Sequence, residues 1–251
     1  MLLAWRGKMN WKYICEQYQE ISKYSRGKIG GAGWVEDADT GTYKVYPDAL
    51  KVFQLPEPKF AAGGSLWEAM RRRRSLRRYS DQPISLVELS NLIWSFAGIT
   101  KETAHYALRT VPSAGALYPI ETYIVVNNVA GLEPGVYHHD VRHFALEMLK
   151  KGKFGEKTAD ACLGQNMCEA AAVVFLWTAV APRCRSKYHE RAYRYIYMDA
   201  GHIGQNLYLA ATAMNFGCCA IGAFYDDEVN AIVDVDGRSE NAVYLATVGK
   251  R

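Results

Sequence analysis

The pattern of hydrophobic and polar positions along the chain predicts two long amphipathic helices. Ser85 is followed three residues later by Glu88, a pair that often caps the start of a helix. Apolar residues then recur at helical spacing until Gly98, where we expect the helix to end. A second stripe runs from about Glu190 to Asn215 and consists of Tyr193, Ile196, Ala200, Ile203, Leu207, Ala211 and Met214. At 1.5 Å per residue this helix would be roughly 37 Å long, enough for the spine of a core or of a dimer interface.

Short apolar runs predict the strands. The run at 172–177 is continuous, which is typical of a strand buried on both faces. Runs at 136–139 and 144–149 are separated by a turn, which predicts a hairpin. Further strands are expected at 121–126, at 218–224 together with a turn, and at 242–248, with a short helix around 226–233. Because strands and helices follow one another in irregular order, we expect an α+β domain.

The first quarter of the chain has a different character. Residues 9–24 carry apolar side chains at helical spacing, whereas residues 25–60 are interrupted by glycine and proline. We therefore divide the chain into an N-terminal helix and wrapping arm at 1–64 and one domain at 65–251. Gly31 and Gly33 do not form a dinucleotide-binding fingerprint, because Glu36 stands where the third glycine would be and no strand precedes them.

Composition narrows the class of protein. A chain of 251 residues with 49% apolar and 22% charged residues has the balance of a soluble globular protein. Its six cysteines lack the C-x-x-C spacing of a zinc site, so we expect free thiols. The chain has no apolar stretch of about 18 residues and no signal-peptide core at its start, so we expect a cytoplasmic protein without a membrane span.

One segment carries more positive charge than the net charge of the whole chain. Residues 71–79 read Arg-Arg-Arg-Arg-Ser-Leu-Arg-Arg-Tyr, whereas the net charge of the chain is +4. If the segment is extended, alternate side chains share a face, which groups Arg73, Ser75, Arg77 and Tyr79. Planar guanidinium groups bind phosphate oxygens in pairs, so this arginine segment is a candidate anion site. A solvated basic turn and a nucleic-acid patch are the alternatives, although the near-neutral remainder of the chain argues against nucleic acid.

A second stretch is rich in small residues. Residues 109–120 read Arg-Thr-Val-Pro-Ser-Ala-Gly-Ala-Leu-Tyr-Pro-Ile, and the small residues at 113–116 would let the backbone approach a flat ligand closely. Prolines at 112 and 119 stiffen this small-residue loop, which we define as residues 112–119. His138, His139 and His143 lack a recognisable set of further metal ligands nearby in sequence, so we expect no metal site.

Together these motifs resemble the FMN-dependent nitroreductase superfamily. The resemblance rests on Arg73-x-Ser75-x-Arg77, the small-residue loop, Ile221-Gly222 and the terminal Gly249-Lys250-Arg251, in that order along residues 65–251. The loop sequence and the Lys187-Tyr188 pair are similar to one branch, the thiazoline/oxazoline (SagB-type) dehydrogenases. The resemblance implies a nitroreductase-like FMN-binding fold with a central, mostly antiparallel sheet flanked by helices.

The resemblance also implies a homodimer with two FMN molecules, each in a groove between subunits. One protomer would supply the groups that hold the phosphate and ribityl chain, a backbone donor near flavin N5, and two further cations near the phosphate. The other protomer would place its small-residue loop against the isoalloxazine ring. In that order, the residues are Arg73, Arg74, Ser75 and Arg77; Ile221 and Gly222; Lys250 and Arg251; and, from the loop, Pro112, Ser113, Ala114, Gly115, Ala116 and Leu117. A cation such as Arg77 near flavin N1 would raise the reduction potential.

The sequence also departs from ordinary nitroreductases. Their asparagine-x-glutamine signature is replaced by Ala116-Leu117-Tyr118, so reduction of nitroaromatic compounds is in doubt as the natural reaction. In the SagB-type branch, a pair such as Lys187-Tyr188 helps to remove a proton while flavin takes a hydride. A lysine can act as a base only where desolvation lowers its pKa. The charged residues around this pair are equally consistent with an exposed loop.

The patterns and the resemblance together leave three functions open. The first is an FMN oxidoreductase that moves a hydride between flavin and a small organic molecule or a modified peptide, or that uses NADH or NADPH to reduce a quinone or nitro compound. The second is a flavin-binding protein or scaffold without catalysis. A nucleic-acid binder is the third, and it would bind DNA or RNA in a salt-dependent manner.

Overall fold

The computed structural model describes residues 14–23, 41–59, 64–103 and 107–251. The predictions for the rest of the N-terminal arm, including Gly31 and Gly33, lie outside these residues, and the division at residue 64 stays a prediction. The α-helices are α1 (Ile14–Ile21), α2 (Leu66–Arg72), α3 (Leu86–Ala97), α4 (Gly155–Ala161), α5 (Met167–Ala170), α6 (Ala181–Tyr188), α7 (Ala192–Ala213) and α8 (Asp226–Val233). The strands are β1 (Lys51–Gln54), β2 (Ile84–Ser85), β3 (Ile99–Glu102), β4 (Ala107–Arg109), β5 (Ile120–Val126), β6 (Val129–Ala130), β7 (Gly135–Asp140), β8 (Ala145–Lys151), β9 (Val173–Val180), β10 (Phe216–Ile221) and β11 (Glu240–Lys250).

A seven-stranded sheet in the order β1-β8-β7-β5-β9-β11-β10 forms the centre of the molecule. All of its neighbouring strands are antiparallel. β10 lies at one edge, and β1, from the segment before the main domain, lies at the other. The expected α+β fold with an antiparallel central sheet is therefore confirmed.

The strand at β9 is buried on both faces, as its continuous apolar run predicts. Val173, Phe175 and Trp177 belong to one core cluster, while Val174 and Leu176 belong to the other. The buried side chains of α3 and α7 complete the first cluster, and those of α4, α5 and α8 complete the second. The sheet thus lies between two layers of helices.

Both predicted long helices are confirmed. Ser85 and Glu88 form a reciprocal capping box at the start of α3, and Gly98 is its C-cap. α7 has 22 residues, and it packs against α2, α3, α6 and β10. α7 therefore connects the early helices α2 and α3 with the edge strand β10.

One face of the sheet carries a buried network of charges. His138 lies 2.7 Å from Glu147 and 3.1 Å from Glu121, and Arg183 of α6 also pairs with Glu121. Burial alone would raise the pKa of Glu121, but hydrogen bonds and charge from His138 and Arg183 bring it to about 2. Burial lowers the pKa of His138, yet the two glutamates raise it overall. The sequence did not reveal this network, because its members come from β5, β7, β8 and α6.

Other sequence expectations concern cysteines, metals and membranes. The six cysteines are all free thiols, and only Cys15 is exposed. Within the described ranges, no group of three or more His, Cys, Asp or Glu side chains is placed to hold a metal ion. No helix in these ranges is both long and apolar enough to cross a membrane.

Candidate functional site

The arginine segment docks onto the edge strand β10. Its first two arginines end α2, and the chain then becomes extended, so that Ser75 forms a parallel bridge with Cys218. The Leu76 N–H donates to the Cys218 carbonyl at 2.9 Å. The segment is therefore held against the sheet by backbone contacts, which leaves its polar side chains to bind a ligand.

Arg73 and Ser75 share a face, as the alternation predicts. The Arg73 guanidinium lies 5.3 Å from the centre of the Tyr208 ring, and Ser75 Oγ lies 2.9 Å from the Tyr208 hydroxyl. The prediction was wrong for Tyr79, whose hydroxyl contacts Thr247 and the Leu76 carbonyl. Tyr79 packs with the second core cluster, whereas Tyr208 packs with the first. The physical reason is that Gly217 and Gly249 leave room for the Tyr79 ring beside the sheet.

The arginines differ in their partners. Arg71 and Arg72 pair with Glu68 of the same helix, and Arg72 also donates to Asn215. No carboxylate of the described residues pairs with Arg73, Arg74, Arg77 or Arg78, and the last three are exposed. Within the described residues, four guanidinium groups of the segment that docks on β10 thus have no carboxylate partner, as an anion site requires.

The C-terminal residues and the turn after β10 lie along the same edge. Lys250 pairs with Phe216 across the ladder, and its amine lies 3.6 Å from Glu88. Arg251 donates to the Phe216 carbonyl at 3.3 Å. At the other end of β10, Ile221 is buried and Gly222 is exposed, with open space where a Cβ atom would be. The structure thus aligns these residues with the arginine segment along one strand.

The small-residue loop has an unusual backbone. Gly115, Ala116 and Tyr118 all have a left-handed φ, of 64°, 55° and 45°. Such a conformation costs an L-residue about 1–2 kcal/mol, so the surroundings must hold the loop in place. Strain at non-glycine positions is concentrated at binding and catalytic sites in many proteins.

Buried polar groups hold this loop. Asp199 of α7 accepts a hydrogen bond from the Ser113 hydroxyl at 2.5 Å and a longer one, at 3.4 Å, from the Ala114 N–H. Ser113 Oγ accepts from the Tyr118 N–H, and the Tyr118 hydroxyl accepts from the Arg109 N–H. Burial raises the pKa of the Asp199 carboxyl, while the bonds from the loop act in the opposite direction.

The Lys187-Tyr188 pair lies directly against this loop within the same chain. A Cβ atom on Gly115 would lie 2.8 Å from the Tyr188 hydroxyl and 2.9 Å from the Lys187 amine. The two polar groups therefore converge on one point above Gly115. The pair ends helix α6, so it does not lie in a charged loop. Lys187 is exposed and Tyr188 is half-buried against Tyr195, with ring centres 4.6 Å apart.

The candidate residues thus form two groups on one helix. Asp199 holds the loop, against which the Lys187-Tyr188 pair lies, whereas Tyr208 contacts Arg73 and Ser75. The two α7 residues are nine positions apart, which is roughly 13 Å along the axis and places them on opposite sides of the helix. Sequence patterns did not single out Asp199 or Tyr208, because each contacts residues more than 80 positions away.

An antiparallel sheet between helices, with an arginine segment docked on its edge strand and a strained loop against a Lys-Tyr pair, defines an α+β protein with two groups of candidate site residues. The nitroreductase family model matches residues 70–250. A candidate nitroreductase of Methanocaldococcus jannaschii is 36% identical over 186 residues, which is 74% of this chain and 91% of that protein. The chain therefore belongs to the nitroreductase family and is an oxidoreductase of that family.

Two further similarities refine this assignment. The trifolitoxin-processing protein TfxB of Rhizobium leguminosarum bv. trifolii is 32% identical over 146 residues, 56% of this chain and 39% of TfxB. This similarity confirms the expected relation to the SagB-type branch. The crystal structure of a candidate nitroreductase from Anabaena variabilis superposes with a TM-score of 0.71 at 32% identity, covering 86% of this chain and 45% of that one. The chain thus spans less than half of the length of these two proteins.

A candidate nitroreductase from Desulfovibrio desulfuricans, solved in complex with FMN, has the same fold. Its TM-score is 0.51 at 19% identity, and the match covers 74% of this chain and 86% of that one. At this identity the likeness shows the fold alone.

Proposed function

We propose that this protein is an FMN-dependent oxidoreductase that transfers a hydride between flavin and a small organic substrate or a heterocycle in a peptide. The observation that carries the proposal is the arginine segment docked on β10, whose guanidinium groups from Arg73 onward have no carboxylate partner in the described part of the chain. The family motif would put the flavin phosphate at this segment. The FMN-bound structural neighbour and the family match support the same cofactor.

The residues present fit FMN. Arg73 and Ser75 offer a cationic fork and a hydroxyl on one face, which suits a phosphate monoester. Lys250, at the end of the neighbouring strand β11, and Arg251 would add positive charge beside the start of β10, where Lys250 also lies near Glu88. Gly222, beside open space at the end of β10, lets a flat ring approach the backbone. When bound, FMN would supply a two-electron centre that accepts or donates a hydride.

The second group supplies proton chemistry in this proposal. Burial raises the pKa of Tyr188, so its phenol is protonated at neutral pH and can donate a proton. The Lys187 amine lies 5.6 Å from the centre of the Tyr188 ring and favours the phenolate that would form. Donation by Tyr188 serves the reductive direction. In the oxidative direction the substrate would lose a hydride to flavin and a proton to a base, for which the unprotonated Lys187 amine is the candidate. Because Lys187 is exposed in the single chain, its desolvation as a base would have to come from bound ligands or a second subunit.

A homodimer in which each site combines residues of both protomers agrees with the separation along α7 between the arginine segment and the small-residue loop. One protomer would offer its arginine segment and Gly222 turn, and the other its loop. Since Lys187 and Tyr188 contact Gly115 of their own chain, they would accompany the loop into the partner's site. Large exposed apolar side chains on α2 and α7 provide contact surface, namely Leu66, Trp67, Met70, Tyr197 and Met198.

The natural substrate class is proposed from one relative. TfxB is named for trifolitoxin processing, which favours oxidation of a peptide-borne azoline over nitroaromatic reduction. NADH or NADPH would serve as electron donor in the reductive direction.

Reconstitution and anaerobic reduction test the function. The purified chain is mixed with FMN, separated from free flavin and titrated anaerobically with NADH and NADPH, then with a model azoline peptide. We expect bound flavin with visible absorbance that NAD(P)H or the azoline bleaches. Protein that takes up no FMN would overturn the proposal. Flavin that is bound but bleached by none of the three would identify a non-catalytic flavin-binding protein.

A further inference from the structure

The side chain of Tyr208 connects the arginine segment to the edge strand of the sheet. Its hydroxyl lies 2.9 Å from Ser75 Oγ and accepts a hydrogen bond from the Ala220 N–H at 2.8 Å. The Arg73 guanidinium lies 5.3 Å from the centre of the same ring. Ala220 directly precedes Ile221 and Gly222. Tyr208 therefore contacts both the cationic end of the candidate site and the strand that leads to Gly222, where the flavin ring would lie.

The donor at Ala220 is consistent with one direction of this hydrogen-bond chain. A backbone N–H can only donate, so the Tyr208 oxygen accepts there and its own hydrogen is free to go to another acceptor. Among the described residues, the acceptor within hydrogen-bonding distance is Ser75 Oγ. When Tyr208 donates to Ser75, the Ser75 hydrogen is left to donate outward. The chain Ala220 to Tyr208 to Ser75 therefore ends in an O–H group that suits an anion, and each bond polarises the next.

The aromatic ring of Tyr208 positions the cation beside this O–H group. A guanidinium group over a tyrosine ring is attracted to the ring face and loses part of its rotational freedom. Arg73 has no carboxylate partner among the described residues, so the ring is the contact that restrains its charged end. Ser75 and Arg73 are thereby held together on the face of the extended segment that meets Tyr208.

We propose that Tyr208 is a positioning residue of the phosphate site: it orients the Ser75 hydroxyl as a donor and holds Arg73 beside it. This inference rests on the proposed function, because the phosphate monoester is that of FMN. Tyr208 does not touch the ring of the flavin in this proposal. It therefore contributes to the preference for FMN over riboflavin, which has the same ring but no phosphate.

The test compares the affinities of the apo-protein for FMN and for riboflavin, measured by quenching of flavin fluorescence. For the wild type we expect much tighter binding of FMN than of riboflavin. Tyr208→Phe keeps the ring but removes the hydroxyl, and it should weaken FMN binding about tenfold while riboflavin binding changes less than about twofold, since Ser75 is then no longer oriented as a donor to the charged phosphate. Tyr244→Phe is the matched control, because Tyr244 is a half-buried tyrosine packed on Gly204 of the same helix.

Variants at Ser75 keep the test decisive if Tyr208→Phe folds poorly. Ser75 is exposed, so Ser75→Ala should fold and should lose FMN affinity to the same extent, whereas Ser75→Thr should restore it. The double variant of Tyr208→Phe and Ser75→Ala should lose little more FMN affinity than either single variant, because both substitutions disable the Ser75 hydroxyl as a donor. A Tyr208→Phe protein in which the ratio of FMN affinity to riboflavin affinity is unchanged would overturn the inference. Failure of the wild type to bind FMN would instead overturn the proposed function on which the inference rests.

Discussion

The Tyr188 hydroxyl lies 2.8 Å from the position that a Cβ atom would take on Gly115, so these two residues leave each other no room for a larger side chain. Two features favour glycine at position 115: its φ of 64° is left-handed, and the Lys187 amine also lies within 3 Å of the same point, so a larger side chain would displace both polar groups. The loop and the polar pair are therefore one structural unit, although they are more than 70 residues apart in the sequence.

Gly115→Ala should displace Lys187 and Tyr188 without removing either. The added methyl group also meets an unfavourable φ, which costs about 1–2 kcal/mol of stability. We expect turnover to fall about 10- to 100-fold while FMN content is unchanged, since misplaced acid–base groups lose much of their effect. Gly164→Ala is the control: its φ of 72° gives similar strain, but nothing lies within 4 Å of the new methyl group. Equal losses of turnover in the two variants would show that strain, and not displacement, is responsible.

Arg73→Ala should weaken FMN binding by about 10- to 100-fold, the range for loss of a charge-assisted hydrogen bond. Arg78→Ala removes the same charge from an exposed position that does not share the Arg73 face, so its effect should be small. The affinities are measured by flavin fluorescence at two salt concentrations. If both variants bind FMN equally weakly, the segment attracts the phosphate by net charge alone and has no defined site.

Asp199→Ala should loosen the small-residue loop. The substitution removes the acceptor of the Ser113 hydroxyl and the Ala114 N–H, and the loop is strained at Ala116. Faster hydrogen exchange is expected in residues 113–118, together with lower turnover and an unchanged preference for FMN over riboflavin. Asp160→Ala, at an exposed position on α4, serves as the control. Unchanged exchange in the loop would mean that Asp199 does not restrain it.

Mixing two inactive variants can show where the two groups of residues act. Arg73→Ala and Lys187→Ala protomers, unfolded and refolded together, form mixed dimers. If the loop and Lys187 act in the partner's site, each mixed dimer contains one intact site, and random pairing restores about a quarter of the wild-type activity. A mixture that stays as inactive as its components would place both groups in one protomer's site.

The buried pair of His138 and Glu121 should set the pH range of stability. The pKa of Glu121 is lowered from 4.5 to about 2, so its contribution is complete above pH 4.5 and is lost as the pH falls towards 2. The pKa of His138 is raised, so its contribution is present below about 6.5 and is lost as the pH rises through the higher, folded value. Denaturant unfolding at several pH values should therefore show maximal stability between these limits.

Glu121→Gln tests this assignment by removing the charge between His138 and Arg183. Breaking a buried ion pair costs about 3–5 kcal/mol, and the acid-side loss of stability should become shallower. Glu133→Gln is the control, since its ion pair with Lys151 is exposed and screened by solvent. A Glu121→Gln protein as stable as the control at pH 7 would contradict the importance of the buried pair.

The amino-acid sequence by itself determined the main elements of the core and the fold class, but not β1, β3, β4, α4, α5 or α6. The spacing of apolar residues located α3 and α7, and a continuous apolar run located β9. The capping box followed from Ser85 and Glu88, three positions apart. All of these features depend on residues that are close together in the sequence. Alternation along an extended chain also placed Arg73 and Ser75 on one face. The motifs identified the family before any contact between them was known.

Only the tertiary structure decided how those motifs meet. Tyr79 turned to the opposite side of the sheet, because Gly217 and Gly249 leave space for its ring there. Asp199 and Tyr208 gave no signal in the sequence, since neither belongs to the apolar stripe that predicted α7 and each contacts a segment far away along the chain. The contact of Lys187 and Tyr188 with Gly115 likewise depends on how α6 packs beside the loop. Periodicity reports which side of an element is buried, whereas the packing of distant elements decides which polar groups come together.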